Sequence, residues 1–395
     1  MDIQLSGLPL TDFLLRETRP LYLYGTGDGA DKILNYLFSL SITPAGIFVS
    51  EEFFRSQTFR GYTCTTLPHL DMTLGPENFV VLVSFGSHMP DLIQRIKDIA
   101  ATHTTLIPDV PVAGGNIFDE AFYTRHLDAI QEARELWADD ASRRVFDRVV
   151  DYKLTGKPGP LFDCVTSREE VFSSLLPLSD REAYVDVGAY NGDTLREFLE
   201  LVPSYDSITA LEPDPGSYRK LVKNAGALFE SEPVPDPLCF PLQTTSHILP
   251  DHRVRLLYAA AGSENRRLTM TTARGRGTRI SLPGSLQDSS SGSVPSFGPG
   301  KTLDICCLRL EDIPFAAPPT YVKIDVEGSE REALEGFRST LTSCRPKLNI
   351  ALYHRSEDLF AIPLLLREWL PGYRFYLRRH DCFPCWDLNL YALEN

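Results

Sequence analysis

The sequence predicts an α/β protein made of two parallel-sheet units in tandem. Three observations lead there. Apolar strand segments alternate with amphipathic helices toward both ends of the chain, each unit opens with a strand running into a glycine turn, and a strand-free helical stretch lies between them. A length of 395 residues suits two or three domains, and 43 % hydrophobic against 23 % charged residues are globular proportions. With 39 Lys+Arg and 53 Asp+Glu the net charge is −14, which argues against a sequence-independent grip on nucleic acid or an anionic membrane.

The first unit spans residues 1–115. Residues 20–24 form a short apolar strand that enters Gly25-Thr26-Gly27-Asp28-Gly29-Ala30. A helix over 31–40 follows, with Ile33, Leu34, Leu37 and Phe38 on one face. Further strands are expected at 46–50, 79–84 and 104–108, with a helix at 89–100. The glycine spacing departs from G-x-G-x-x-G by bringing its third glycine one position early. Ser50, Glu51 and Glu52, at the tip of the second strand, stand at the distance of a ribose partner. Two readings stay open here: a bound nucleotide, or a degenerate domain used for packing or dimerisation.

Residues 116–180 read as a helical linker or lid. Apolar spacing predicts helices over 118–137 and 142–154, with Ser142 as a cap, and a shorter one over 168–176. Gly156-Lys157-Pro158-Gly159-Pro160 ends the second of them.

The second unit, residues 181–395, should contain strands at 183–187, 207–211, 253–258, 321–325, 347–353, 373–378 and 388–393, the last two as an antiparallel hairpin. The Gly/Ser/Pro-rich stretch 284–300 reads as a flexible loop. Eight cysteines, with Cys306 and Cys307 adjacent and Cys382 and Cys385 the only C-x-x-C pair, are too sparse for a disulfide scaffold. They also fall short of a four-ligand zinc site, so reduced buried thiols and no metal are expected. The first 15 residues carry Asp2 and Asp12 without a basic start, unlike a secretory signal, and no apolar run approaches the roughly 20 residues of a membrane span. The expected location is the cytoplasm.

Three constellations carry the chemistry. In V-D-V-G-A-Y-N-G-D-T at 185–194, an apolar strand meets a glycine turn and then a helix, and Gly188 would let a ligand approach the backbone. Glu212, 24 residues beyond Gly188 at the next strand end, can accept hydrogen bonds from both hydroxyls of a ribose. The absence of a full G-x-G-x-x-G favours a nucleoside without phosphates. In K-I-D-V-E-G-S-E at 323–330, Asp325 and Glu327 would face the substrate, whereas Glu330 would serve the following helix. In Y-H-R-S-E-D-L at 353–359, His354 can titrate near neutrality and act as a base.

Together with R-P-K-L-N-I at 345–350, these motifs resemble the FkbM family of S-adenosylmethionine-dependent methyltransferases across residues 180–395. The resemblance implies a class I methyltransferase fold, a mostly parallel seven-stranded sheet with an antiparallel last strand, here behind a smaller Rossmann-like domain. It implies S-adenosyl-L-methionine as cofactor, no required metal, and methylation of a hydroxyl on a small molecule, sugar or glycan. Asp186, Gly188, Ala189, Asn191, Asp193 and Thr194 would then line the methionine side of the cofactor pocket. Glu212 would hold the ribose, Asp214 would belong to the same cofactor pocket, and Ala260, with the rest of the run 258–262, would lie by the adenine. The acceptor would meet Asp325, Glu327, Lys323 and His354, with His354 or Glu327 taking its proton and Lys323 or Arg355 orienting it. No nucleic-acid or membrane partner is expected, and a homodimer is open. The competing readings are a nicotinamide-dependent oxidoreductase using residues 25–30 and a nucleotide-binding scaffold.

Overall fold

The computed structural model describes residues 3–272, 279–281 and 301–395. The 284–300 stretch, expected to be a flexible loop, lies outside them. The described residues form two compact units, Met1–Val171 with Leu352–Leu366 and Phe375–Leu390, and Phe172–Ala351 with Arg367–Arg374 and Tyr391–Asn395.

In the first unit, β1 (Leu21–Tyr24), β2 (Gly46–Phe48), β3 (Thr58–Phe59), β4 (Tyr62–Thr65), β5 (Val80–Val83) and β6 (Thr104–Leu106) form one sheet. Its order is β3-β4-β2-β1-β5-β6, parallel except for the β3–β4 pair. The β3–β4 hairpin was not foreseen, because two- and four-residue strands of mixed polarity carry little periodic signal. The helix Asp28–Ser39 buries Ala30, Ile33, Leu34 and Leu37 against Leu23, Ile47 and Leu82.

The helical stretch belongs to this unit as far as Val171. Its first predicted helix is two, Glu120–Arg125 and Leu127–Glu135, interrupted at His126. The next, Asp140–Thr155, is capped by Asp139 rather than Ser142: the Asp139 carboxylate accepts from the Ser142 amide at 2.8 Å. The C-terminal segment joins the same unit through polar contacts that sequence separation hides. Arg378 donates to Asp139 at 2.7 Å and to Ser142 Oγ at 2.7 Å, and the buried Arg379 donates to the Leu161 carbonyl at 2.9 Å. These contacts draw the helical stretch and residues 375–390 into one body, a division different from boundaries at 115 and 180.

In the second unit, β7 (Glu182–Val187), β8 (Tyr205–Leu211), β9 (Val234–Pro235), β10 (Ser246–Ile248) and β11 (Val254–Leu257) lead into β12 (Ala260–Gly262), β13 (Arg266–Thr272), β14 (Arg279–Ser281) and β15 (Lys301–Arg309). They are followed by β16 (Tyr321–Ile324) and β17 (Lys347–Ala351), while β18 (Tyr373–Arg379) and β19 (Leu388–Glu394) have residues in both units. The main sheet has nine strands, ordered β18-β19-β17-β16-β7-β8-β11-β10-β9, where seven were expected. The two additional strands, β10 and β9, add antiparallel beyond β11. Pro233, Pro235 and Pro237 around the outermost strand remove amide donors, which blunts the sheet edge. A separate four-stranded sheet, β12-β15-β13-β14, was also not anticipated. Among the described residues no helix is long and apolar enough to cross a membrane, and the eight cysteines are free, six of them buried.

Candidate functional site

The second unit changes winding direction between β7 and β16. The chain passes from β7 outward to β8 and β11, then returns to β16 on the other side. Such a reversal leaves a crevice beyond the carboxyl ends of the strands. A small, partly open cleft lies there. Gly188, Val187 and Leu211 form part of its wall, and Val326 and Ser329 contribute from the loop after β16. Pro213 and the run Ala259, Ala260, Ala261 complete it. Three consecutive alanines keep that wall low, and the lining is mainly apolar, as suits a ring system or aliphatic chain.

The Gly188 turn is built by backbone packing. The Gly188 and Ala189 amides both donate to the Leu211 carbonyl, at 3.0 and 2.9 Å, and the Asp325 amide donates to the Val187 carbonyl at 2.9 Å. Gly188 has φ +88°, and a Cβ there would fall 1.8 Å from the Asp325 carbonyl oxygen. The glycine is therefore required first by the neighbouring strand end, whether or not a ligand approaches it.

Glu212 stands at the end of β8 with 6 % exposure. One carboxylate oxygen accepts from the Tyr190 amide at 2.8 Å and the other from the Asp214 amide at 2.7 Å. Burial pushes its carboxyl up to about 7, against the lowering influence of those two amides. Each oxygen retains acceptor capacity beyond its one bond, so the group is oriented without being saturated.

Several sequence-predicted residues have other employment. Asp186 is fully buried, accepting from Thr194 Oγ1 at 2.5 Å and Lys323 Nζ at 3.3 Å, so it braces the turn from within and does not line the cleft. Asp214 caps the helix Pro215–Leu228, its Oδ1 accepting from the Gly216 and Ser217 amides at 2.9 and 2.7 Å. Asn191 and Asp193 accept from the Asp193 and Thr194 amides at 3.1 and 2.9 Å, and Ala189 is buried. Of the predicted cofactor set, Gly188 and Ala260 line the cleft and Glu212 stands at its strand end.

On the acceptor side, Lys323 Nζ lies 4.0 Å from Asp325 Oδ2, and Asp325 is partly exposed. Glu327 is exposed with φ +56°, a left-handed conformation that a non-glycine residue seldom holds. The buried Glu330 frames it, accepting from the Val326 amide at 2.8 Å and the Gly328 amide at 3.4 Å. His354 falls in the first unit, 1 % exposed, its carbonyl accepting from the Ala113 amide at 2.9 Å and its ring 4.1 Å from that of Tyr353. The lining residues Leu211, Pro213, Val326 and Ser329 were missed as site residues, because small and apolar side chains carry no chemical signature of their own.

At the corresponding turn of the first unit Gly25 and Gly29 meet the chain's own atoms, whereas Gly27 is exposed with nothing near it. A Cβ on Gly29 would fall 2.3 Å from the Ser84 carbonyl oxygen, and the Phe85 ring sits against Gly25. Ser87 exchanges backbone hydrogen bonds with Phe383, at 2.6 and 2.9 Å, and the Trp386 ring lies on Gly86. Asp28 and Asp31 occupy the first turn of the helix that would receive a phosphate, and Glu52 is engaged by Arg95 at 2.6 Å.

The model of the methyltransferase FkbM domain matches residues 186–375. The crystal structure of a methyltransferase FkbM from Methylobacillus flagellatus KT is similar to 98 % of this chain and 94 % of its own, at 20 % identity with a TM-score of 0.67. An rRNA methylase from Streptococcus thermophilus matches 55 % of this chain and 89 % of its own, at 12 % identity and a TM-score of 0.30. No curated protein matches the sequence. Residues 186–375 of this chain are a methyltransferase FkbM domain.

Proposed function

We propose that the second unit binds S-adenosylmethionine and transfers its methyl group to a hydroxyl of a small molecule, sugar or glycan. The strand order β11-β8-β7-β16-β17-β19-β18 supports a class I methyltransferase reading, with β10 and β9 as additions at the edge. The observation that carries the cofactor is the buried Glu212 carboxylate, oriented by two amides beside a cleft walled by alanines. A vicinal diol suits two fixed carboxylate oxygens, and an adenine suits an apolar slot with low walls. Glu212 would hold the ribose, Ala259 to Ala261 would leave room for the base, and the Gly188 turn would border the methionine. A bound S-adenosylmethionine supplies an already activated methyl group. The work left to the protein is alignment of the acceptor oxygen, exclusion of water, and removal of one proton.

Glu327 is our choice for that proton, because it is exposed and its backbone is held in a strained conformation by Gly328 and the buried Glu330. Asp325, one residue past the end of β16, adds negative charge that suits a cationic cofactor. The test is incubation of the full chain with methyl-labelled S-adenosylmethionine and candidate polyols, glycosides and phenols, followed by mass spectrometry. Incorporation on oxygen supports the reading. Incorporation on nitrogen or carbon, or none together with absent cofactor binding, overturns it.

A further inference from the structure

Lys323 is a buried cation that serves three chain segments. It sits within β16 at 8 % exposure. Its Nζ donates to Asp186 Oδ1 at 3.3 Å and to the Gly188 carbonyl at 3.2 Å, and it lies 4.0 Å from Asp325 Oδ2. The other oxygen of Asp186 accepts the Thr194 hydroxyl at 2.5 Å, so the same cluster reaches the start of the helix Asp193–Leu201. Burial acts to lower the lysine pKa, but the charges of Asp186, Asp325 and Asp193 outweigh it and raise the pKa. One ammonium thus bonds the last strand residues of β7 and the turn beyond them from within the neighbouring strand.

The turn needs such a brace. Gly188 lies at φ +88° against the Asp325 carbonyl, and its own carbonyl points to a position where Nζ is its donor. The compact ammonium carries three donors on a slender stem and fits between a carboxylate and a carbonyl, where a planar guanidinium does not. We propose that Lys323 is a positioning residue for the cofactor turn: it acts through Asp186 and the Gly188 carbonyl, and touches neither acceptor nor cofactor. Its consequence for binding rests on the S-adenosylmethionine reading, whereas its consequence for the turn does not.

The test compares the full chain with Lys323→Met and with Lys323→Met/Asp186→Asn, by hydrogen exchange of peptides covering 186–194 and calorimetry with S-adenosylmethionine. In Lys323→Met the turn amides should exchange at least tenfold faster while β8 and β11 keep their protection, and the Kd should rise at least tenfold. The double variant leaves no uncompensated buried carboxylate. It should recover at least threefold in Kd while its turn, still without a donor to Gly188, exchanges faster than in the natural chain. If Lys323→Met does not fold, the double variant decides by that turn exchange. Unchanged turn exchange, or acceleration spread evenly over the unit, overturns the proposal. A natural chain that takes up no S-adenosylmethionine defeats the functional reading, and the exchange arm still decides the role of Lys323.

Discussion

The chain contains the same local device twice, and the two copies have parted. After β1, and again after β7, a buried strand enters a glycine turn and then a helix, beside the place where the sheet reverses its winding. In the first copy Gly25 and Gly29 pack against Phe85 and Ser84, and Gly27 is exposed. In the second the turn borders a cleft, and a buried carboxylate stands at the next strand end. A glycine turn after a strand therefore signals a tight junction in both copies. Only the surroundings decide whether a ligand can enter.

The largest contrast should come from the two glycines themselves. Gly188→Ala places a methyl group into the Asp325 carbonyl at positive φ, and should cost about 3 kcal/mol or more and abolish S-adenosylmethionine binding. Gly29→Ala meets the Ser84 carbonyl and should cost roughly 1–3 kcal/mol, yet leave cofactor binding intact. Thermal unfolding and calorimetry on both variants read this directly. Equal loss of binding in the two would erase the distinction between the turns.

A somewhat smaller effect follows from the carboxylate. Burial raises the Glu212 carboxyl to about 7, so the folded chain favours its protonated form. That contribution to stability is complete below the ordinary value of 4.5 and is lost as pH rises through about 7. Glu212→Gln should remove this dependence, a difference on the order of 2–3 kcal/mol across the interval. Melting temperatures taken from pH 5 to pH 8 check it, and parallel curves for variant and natural chain would contradict the burial argument. The exposed Glu52 of the first unit provides the comparison, and Glu52→Gln should leave the pH profile of cofactor binding unchanged.

Much of the second copy was legible in sequence. The run 183–187 reads as a buried strand because its apolar residues continue around Asp186, and 207–211 likewise before Glu212; the structure extends them to Glu182 and Tyr205. What sequence could not supply was the partner of each polar group. Asp186 reads as a pocket residue until Lys323, 137 positions away, is seen against it. Asp214 reads as a pocket residue until the helix it caps is in view. Leu211, Pro213, Val326 and Ser329 line the cleft with apolar or small side chains, and no motif marks such a wall. The sheet β12-β15-β13-β14 escaped because its pairing joins segments far apart in the chain, where local periodicity is silent.

Calorimetric titration of the full chain and of Glu212→Ala, each with S-adenosylmethionine and with NAD, bears most directly on the difference between the two turns. The natural chain should bind one S-adenosylmethionine and no NAD. Glu212→Ala should bind S-adenosylmethionine at least tenfold more weakly, since each hydrogen bond to a charged acceptor is worth roughly 1.5–3 kcal/mol. Uptake of NAD, or unchanged S-adenosylmethionine affinity in a folded Glu212→Ala chain, would contradict the account.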